Sequence, residues 1–217
     1  MRLSAVILSL LLLAAPASAR IDPAEFQSLA FRQHPGAQLP LAAELRDSNG
    51  RPISLGRAIA GRPAVLVLEY LRCRNLCSLV LSGAVHAIAA AGLRPGLDVD
   101  LVAISIDPRD TAADIGAAQA MYARRFSDPA SAAAGVRFFT ASPDQVSRIA
   151  SAVGFPYRYD RASGQFAHPA GFVVTTPGGR ISRYMLGLNP QPALLRTAVG
   201  EAALEKVEPP AHPFLCL

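Results

Sequence analysis

The apolar run from Ala64 to Tyr70, with Val-Leu-Val at its start, passes within a few residues into two cysteines, Cys73 and Cys77. Apolar residues in succession, rather than in alternation, mark a strand buried on both faces. A chain with such a strand must supply helices for both sides of its sheet. The residues that follow do so. From Ser78 to Ala91 the apolar positions recur at helical spacing, with Gly92 as the stop. Val99 to Ile106 reads as a second buried strand, Thr111 to Phe126 as an alanine-rich helix, and Val136 to Thr140 as a short strand.

Ser142-Pro143-Asp144 then opens a helix with a capping side chain and a proline at its first turn. Gly171 to Thr176 and Arg180 to Leu186 read as two strands joined at Pro177-Gly178-Gly179, a hairpin signal, and a helix over roughly 192–206 closes the pattern. Strands and helices in that order predict a mixed central sheet with helices on both faces, a three-layer α/β/α architecture of thioredoxin-like type.

At 217 residues the chain is expected to hold one ordinary domain. Its first 19 residues read as an export signal. Arg2 gives the positive end, Val6 to Ala15 the apolar run, and Ala17-Ser18-Ala19 the small-residue cleavage pattern. The run is shorter than the roughly 20 residues needed to span a bilayer, which favours cleavage after Ala19 over an uncleaved anchor. The expected location is the periplasm, free or tethered to the inner membrane by its leader. Residues 20–50, broken by Pro23, Pro35 and Pro40, read as an extended lead-in, with the core beginning afterwards. The domain is expected over 51–207, and 208–217, with Pro209, Pro210 and Pro213, as a tail.

A net charge of +5 and a pI near 9.6 raise nucleic-acid binding only to dismiss it, because the basic residues are scattered singly and an exported protein meets no nucleic acid. The charge suits solubility, or contact with anionic lipid or an acidic partner. Three cysteines are an odd number and cannot all pair within one chain, which argues against a disulfide framework.

Cys73 and Cys77 fall where the first buried strand turns into a helix, the end of an open α/β sheet at which ligands and reactive groups collect. The helix dipole, with Arg72 and Arg74 alongside, favours thiolate, the form that binds metal. Residues four apart on a helix have Cβ atoms about 5–6 Å apart on one face, whereas a disulfide needs roughly 3.5–4.5 Å. Metal binding and oxidation therefore compete for the same pair, although a simple structural disulfide is a second reading of it.

Two thiolates suit Cu(I), and an added imidazole gives a set that also holds Cu(II). Of His34, His86, His168 and His212, only His168 sits in a loop leading into an expected central strand at the cysteine end. His86 lies inside a helix, and the other two lie in the proline-broken ends. Its plain alternative is an ordinary loop histidine. Cys216 with His212 repeats the four-residue spacing in the tail, where no defined site is expected. In Ser105-Ile106-Asp107-Pro108-Arg109-Asp110-Thr111, Asp107 and Asp110 can serve near the site or receive a partner's basic surface, while Asp110 or Thr111 can simply cap the next helix, the cap being the favoured reading of Asp110. Asp107 is left open between a role near the site and one in receiving a partner.

Three stretches together resemble the Sco/SenC family: Val-Leu-Glu-Tyr-Leu-Arg-Cys-Arg-Asn-Leu-Cys at 67–77, Ala-Ile-Ser-Ile-Asp-Pro-Arg-Asp-Thr at 103–111, and Phe-Ala-His-Pro-Ala-Gly at 166–171. The resemblance covers about Gln38 to Lys206. It implies a thioredoxin-fold copper protein of the respiratory membrane that delivers copper to the CuA site of cytochrome c oxidase, or keeps that site's cysteines reduced. The implied partners are a subunit of the oxidase or another copper chaperone. The implied metal ligands are Cys73, Cys77 and His168. Relatives often carry proline beside each cysteine, where this chain has Arg74 and Ser78, and here Pro169 follows the histidine. A thiol-disulfide oxidoreductase cycling Cys73 and Cys77 is the alternative, weakened by a three-residue gap where redox motifs usually have two. A peroxidase-like thiol enzyme would need a threonine beside a single cysteine, which the sequence does not offer.

Overall fold

The computed structural model describes residues 28–59, 61–71 and 77–210. The leader, Cys73, the side chain of Cys77, and the His212 and Cys216 pair lie outside the described residues.

In chain order the elements are β1 (Glu44–Arg46), β2 (Pro52–Ser54), α1 (Leu55–Ala58), β3 (Ala64–Glu69), α2 (Cys77–Ala90), β4 (Asp100–Ser105), α3 (Ala112–Ala123) and α4 (Pro129–Gly135). There follow β5 (Val136–Phe139), α5 (Pro143–Val153), β6 (Arg158–Asp160), β7 (Gln165–Ala167), β8 (Gly171–Thr175), β9 (Ile181–Leu186) and α6 (Pro192–Ala203). The central sheet has the order β5-β4-β3-β8-β9. Its first three strands run parallel, and β8 and β9 are each antiparallel to their neighbour. Every residue of β3, β4 and β8 is buried, as a continuous apolar run demands when helices cover both faces.

Each face has its own core. On one side Val65, Val67, Leu101 and Phe172 meet Leu81, Val85 and Ile88 of α2, Ile115 of α3, and Leu195 and Val199 of α6. On the other, Leu66, Leu68, Val102 and Val173 meet Leu55, Ile59, and Val146, Ile149 and Val153 of α5. This is the three-layer mixed sheet expected from the order of elements.

The stretch read as a lead-in contributes to that second core. Leu39, Ala43 and Leu45 are buried, and Phe31 packs edge-on to Phe155 and Tyr184 at 5.5 and 5.6 Å. Its prolines interrupt periodicity without keeping the chain out of the fold.

Several elements were not anticipated: β1, β2 and α1, helix α4, and the hairpin of β6 and β7. Helix α4 starts on a proline with Asp128 as its cap, the Asp128 carboxylate accepting from Ser131 N–H at 3.1 Å. The β6–β7 hairpin turns on Asp160, which accepts from Ala162 N–H at 3.0 Å and from the Ser163 hydroxyl at 2.7 Å. Its strands have three residues each, too few for alternation to show. Because β3, β4 and β5 run parallel, their carboxyl ends share one edge of the molecule with the start of β8. His168 and the start of α2 at Cys77 lie at that edge.

Candidate functional site

Tyr70 and Leu71 leave β3 in the direction of the cysteines, and Cys77 is the first residue of α2. The exits of β3 and β4 are tied together there. Ile106 N–H donates to the Glu69 carbonyl at 2.8 Å. The Asp110 carboxylate accepts from Leu71 N–H at 3.0 Å and from the Ser105 hydroxyl at 2.6 Å. Asp110 is therefore not the helix cap favoured from its position. Thr111 takes that role, its hydroxyl accepting from Asp114 N–H while Asp114 accepts from Thr111 N–H, a reciprocal pair. A buried carboxylate fixing the strand exits serves the fold better than a solvent-facing cap, which Thr111 provides equally well. Asp107, left open by the sequence, is buried and gripped by the Arg109 guanidinium at 2.7 to 3.0 Å. That carboxylate raises the Arg109 pKa, with burial opposing.

His168 lies between β7 and β8, in the loop where the sequence puts it. Three residues on, Gly171 takes φ of +140°, and a Cβ there would run into the Met185 carbonyl and the Phe31 ring. Only glycine lets the chain enter β8 at this point. The imidazole Nδ1 lies 2.9 Å from the Pro169 carbonyl oxygen. A carbonyl only accepts, so Nδ1 carries the proton and the lone pair sits on Nε2. This is the anchoring commonly seen behind metal-ligating histidines, a backbone carbonyl fixing tautomer and ring orientation.

Aromatic rings build the walls. Phe155 stacks on the imidazole at 5.3 Å and 29°, and Tyr70 meets it edge-on at 6.0 Å and 83°. Burial lowers the His168 pKa below its ordinary 6.5, with the Pro169 contact pulling the other way, so the neutral, ligating form is favoured.

The structure thus sets His168 against Tyr70, three residues ahead of Cys73, and starts α2 at Cys77. Cys73 and the Cys77 side chain are outside the described residues. Among the described residues no three His, Cys, Asp or Glu side chains converge as a metal site. His86 lies within α2, and His34 is held elsewhere, its N–H donating to the Tyr184 hydroxyl at 2.8 Å. The aromatic walls were missed from sequence. Their trace is Phe-Pro-Tyr-Arg-Tyr at 155–159, a local density of rings in a chain only 6% aromatic.

A mixed sheet covered on both faces, with a helix opening at Cys77 beyond β3 and a cradled histidine in the loop that enters β8, defines a thioredoxin-like protein. The SCO1/SenC family model matches residues 36–202, and the chain belongs to that family. No curated protein matches the sequence. Among solved structures, one from Aquifex aeolicus is similar at 26% identity and a TM-score of 0.67, covering 77% of this chain and 94% of that one. A SCO1/SenC family lipoprotein from Bacillus anthracis is similar at 18% identity and a TM-score of 0.63, covering 80% and 99%. ScoI of Bradyrhizobium japonicum, solved with copper bound, is similar at 18% identity and a TM-score of 0.53, covering 78% and 98%. No helix among the described residues is long and apolar enough to cross a membrane.

Proposed function

We propose that this chain is a copper-binding chaperone of the Sco type. It takes one copper ion as cargo on the thiolates of Cys73 and Cys77 and on Nε2 of His168, and assists assembly of the CuA site of cytochrome c oxidase. Family membership and the copper-bound relatives support the cargo. The single observation that carries the ligand set is the His168 imidazole, its Nδ1 proton turned to the Pro169 carbonyl and its ring held against Tyr70, where the chain leaves β3 for the cysteines. Two soft sulfurs and one imidazole suit copper in either oxidation state, so the ion can pass to a partner with similar ligands. The leader-like pattern over residues 1–19 supports placing this work in the periplasm, beside the membrane that carries the oxidase.

Each group contributes a defined part. Cys77 is the first residue of α2, and the amino end of a helix is where a thiolate is favoured in general. The Phe155 and Tyr70 rings keep water from one side of the imidazole and hold its plane. Asp110, by fixing Leu71 N–H, holds the start of the chain that leads to Cys73.

Anaerobic Cu(I) titration of the reduced protein tests the reading. The expected stoichiometry is near one, with severe loss in Cys73→Ser, Cys77→Ser and His168→Ala. Full copper retention in His168→Ala, with thiol-disulfide exchange activity undiminished, would replace the chaperone by an oxidoreductase.

A further inference from the structure

The strand that leads to His168 belongs to a hairpin outside the central sheet. Among the described residues β6 and β7 pair only with each other, and a lone two-stranded hairpin is marginal in water. What ties this hairpin to the body can be traced ring by ring. Arg109, in the connection from β4 to α3, lies over the Tyr159 ring at 5.2 Å, and its Nη1 reaches the Tyr159 hydroxyl at 3.4 Å. Tyr159 packs on its cross-strand partner Phe166 at 5.0 Å, and Phe166 meets Tyr70 at 5.3 Å. Tyr70 donates its hydroxyl to Gln165 at 2.7 Å and presents its edge to His168.

The other end of this chain of contacts is rigid. The Asp107 carboxylate is buried and holds both the guanidinium and the backbone N–H of Arg109, the latter at 2.9 Å. A guanidinium so gripped has already lost its rotamer freedom and offers its face to an aromatic ring at little further entropic cost. Tyr159 is itself 42% exposed, so burial alone does not account for its place.

We propose that Arg109 is a positioning residue for His168. Clamped by Asp107, it fastens the β6–β7 hairpin through Tyr159 and Phe166, and so sets where the chain emerges after Ala167 to present the imidazole. The proposal rests on the reading of His168 as a copper ligand for its consequence, but not for its geometry.

The test uses the full chain without and with Cu(I). Arg109→Met removes a charged partner of buried Asp107 and endangers folding, so Tyr159→Leu, which leaves that ion pair intact, is the second variant. In the copper-free protein Tyr159→Leu is expected to speed amide exchange across residues 158–167 by about tenfold or more. It should also move the His168 ring-proton shifts, with exchange in β3 and β4 unchanged. Copper affinity should fall in Tyr159→Leu and stay unaltered when the same change is made in a His168→Ala background. Arg109→Lys, which keeps charge over the ring, should restore much of what Arg109→Met loses. Wild-type exchange and ring shifts in Tyr159→Leu would overturn the proposal, as would an equal copper loss in the His168→Ala background. If His168→Ala alone bound copper normally, the ligand reading would fail, and the copper-free measurements would still decide whether Arg109 fastens the hairpin.

Discussion

Phe155→Ala tests whether the ring that stacks on His168 is part of the core or an ornament of the site. Phe155 is only 3% exposed and lies among Phe31 at 5.5 Å, His168 at 5.3 Å and Tyr157 at 6.5 Å. Removing a buried phenylalanine costs about 3–5 kcal/mol through lost transfer energy and the cavity left behind. For a domain of this size each kcal/mol moves Tm by about 2–4 °C, so the expected drop is about 6–20 °C. Thermal unfolding of the copper-free protein measures it. A double-mutant cycle with His168→Ala isolates the stack, which should couple by about 0.5–1.5 kcal/mol in line with other ring pairs. A Tm within about 2 °C of wild type, or a strictly additive cycle, would refute the claim that Phe155 both fills the core and holds the imidazole.

Asp110→Ala should destabilise the fold by about 1.5–3 kcal/mol per lost contact, since Leu71 N–H and the Ser105 hydroxyl both give hydrogen to a charged acceptor; urea unfolding checks it. Arg137→Met removes one of two arginines on the fully buried Asp100, and because Arg62 still holds that carboxylate at 3.1 Å the cost should stay near the roughly 1.5–3 kcal/mol of one charged hydrogen bond. His168 makes copper-free stability pH-dependent. Burial lowers its folded pKa, so its contribution is intact above the ordinary 6.5 and is lost as pH falls from there toward the folded value, because the unfolded chain takes up a proton first. The slope cannot exceed about 1.4 kcal/mol per pH unit for one proton, and His168→Gln should flatten it in a Tm series across mildly acidic pH. In a Cys216→Ser background a Cys73–Cys77 disulfide should abolish copper binding, and bound copper should protect both thiols from alkylation, measured by mass.

The sheet was legible because β3, β4 and β8 are buried on both faces, and that burial writes itself as continuous apolar sequence. Capping chemistry was equally plain at Ser142-Pro143, which begins α5 as the residue types require. The position of His168 was legible for the same reason, since it precedes a strand with a strong signal. What supports it was not. The hairpin strands are too short for a period, and the contacts from Arg109 to Tyr159 and from Asp110 to Leu71 span 50 and 39 residues. Nothing local in the sequence distinguishes Asp110 as a strand tie from Asp110 as a helix cap. Phe31 likewise sits in a proline-broken stretch that no periodicity marks as core, yet it backs the ring that backs the histidine.

The central claim is a copper ion held by two sulfurs and one imidazole nitrogen. X-ray absorption of the Cu(I)-loaded Cys216→Ser protein reads that shell directly. The account predicts two sulfur scatterers and one nitrogen with the outer-shell signature of an imidazole, and loss of that signature in His168→Ala. A sulfur-only shell, the same in both proteins, would contradict it.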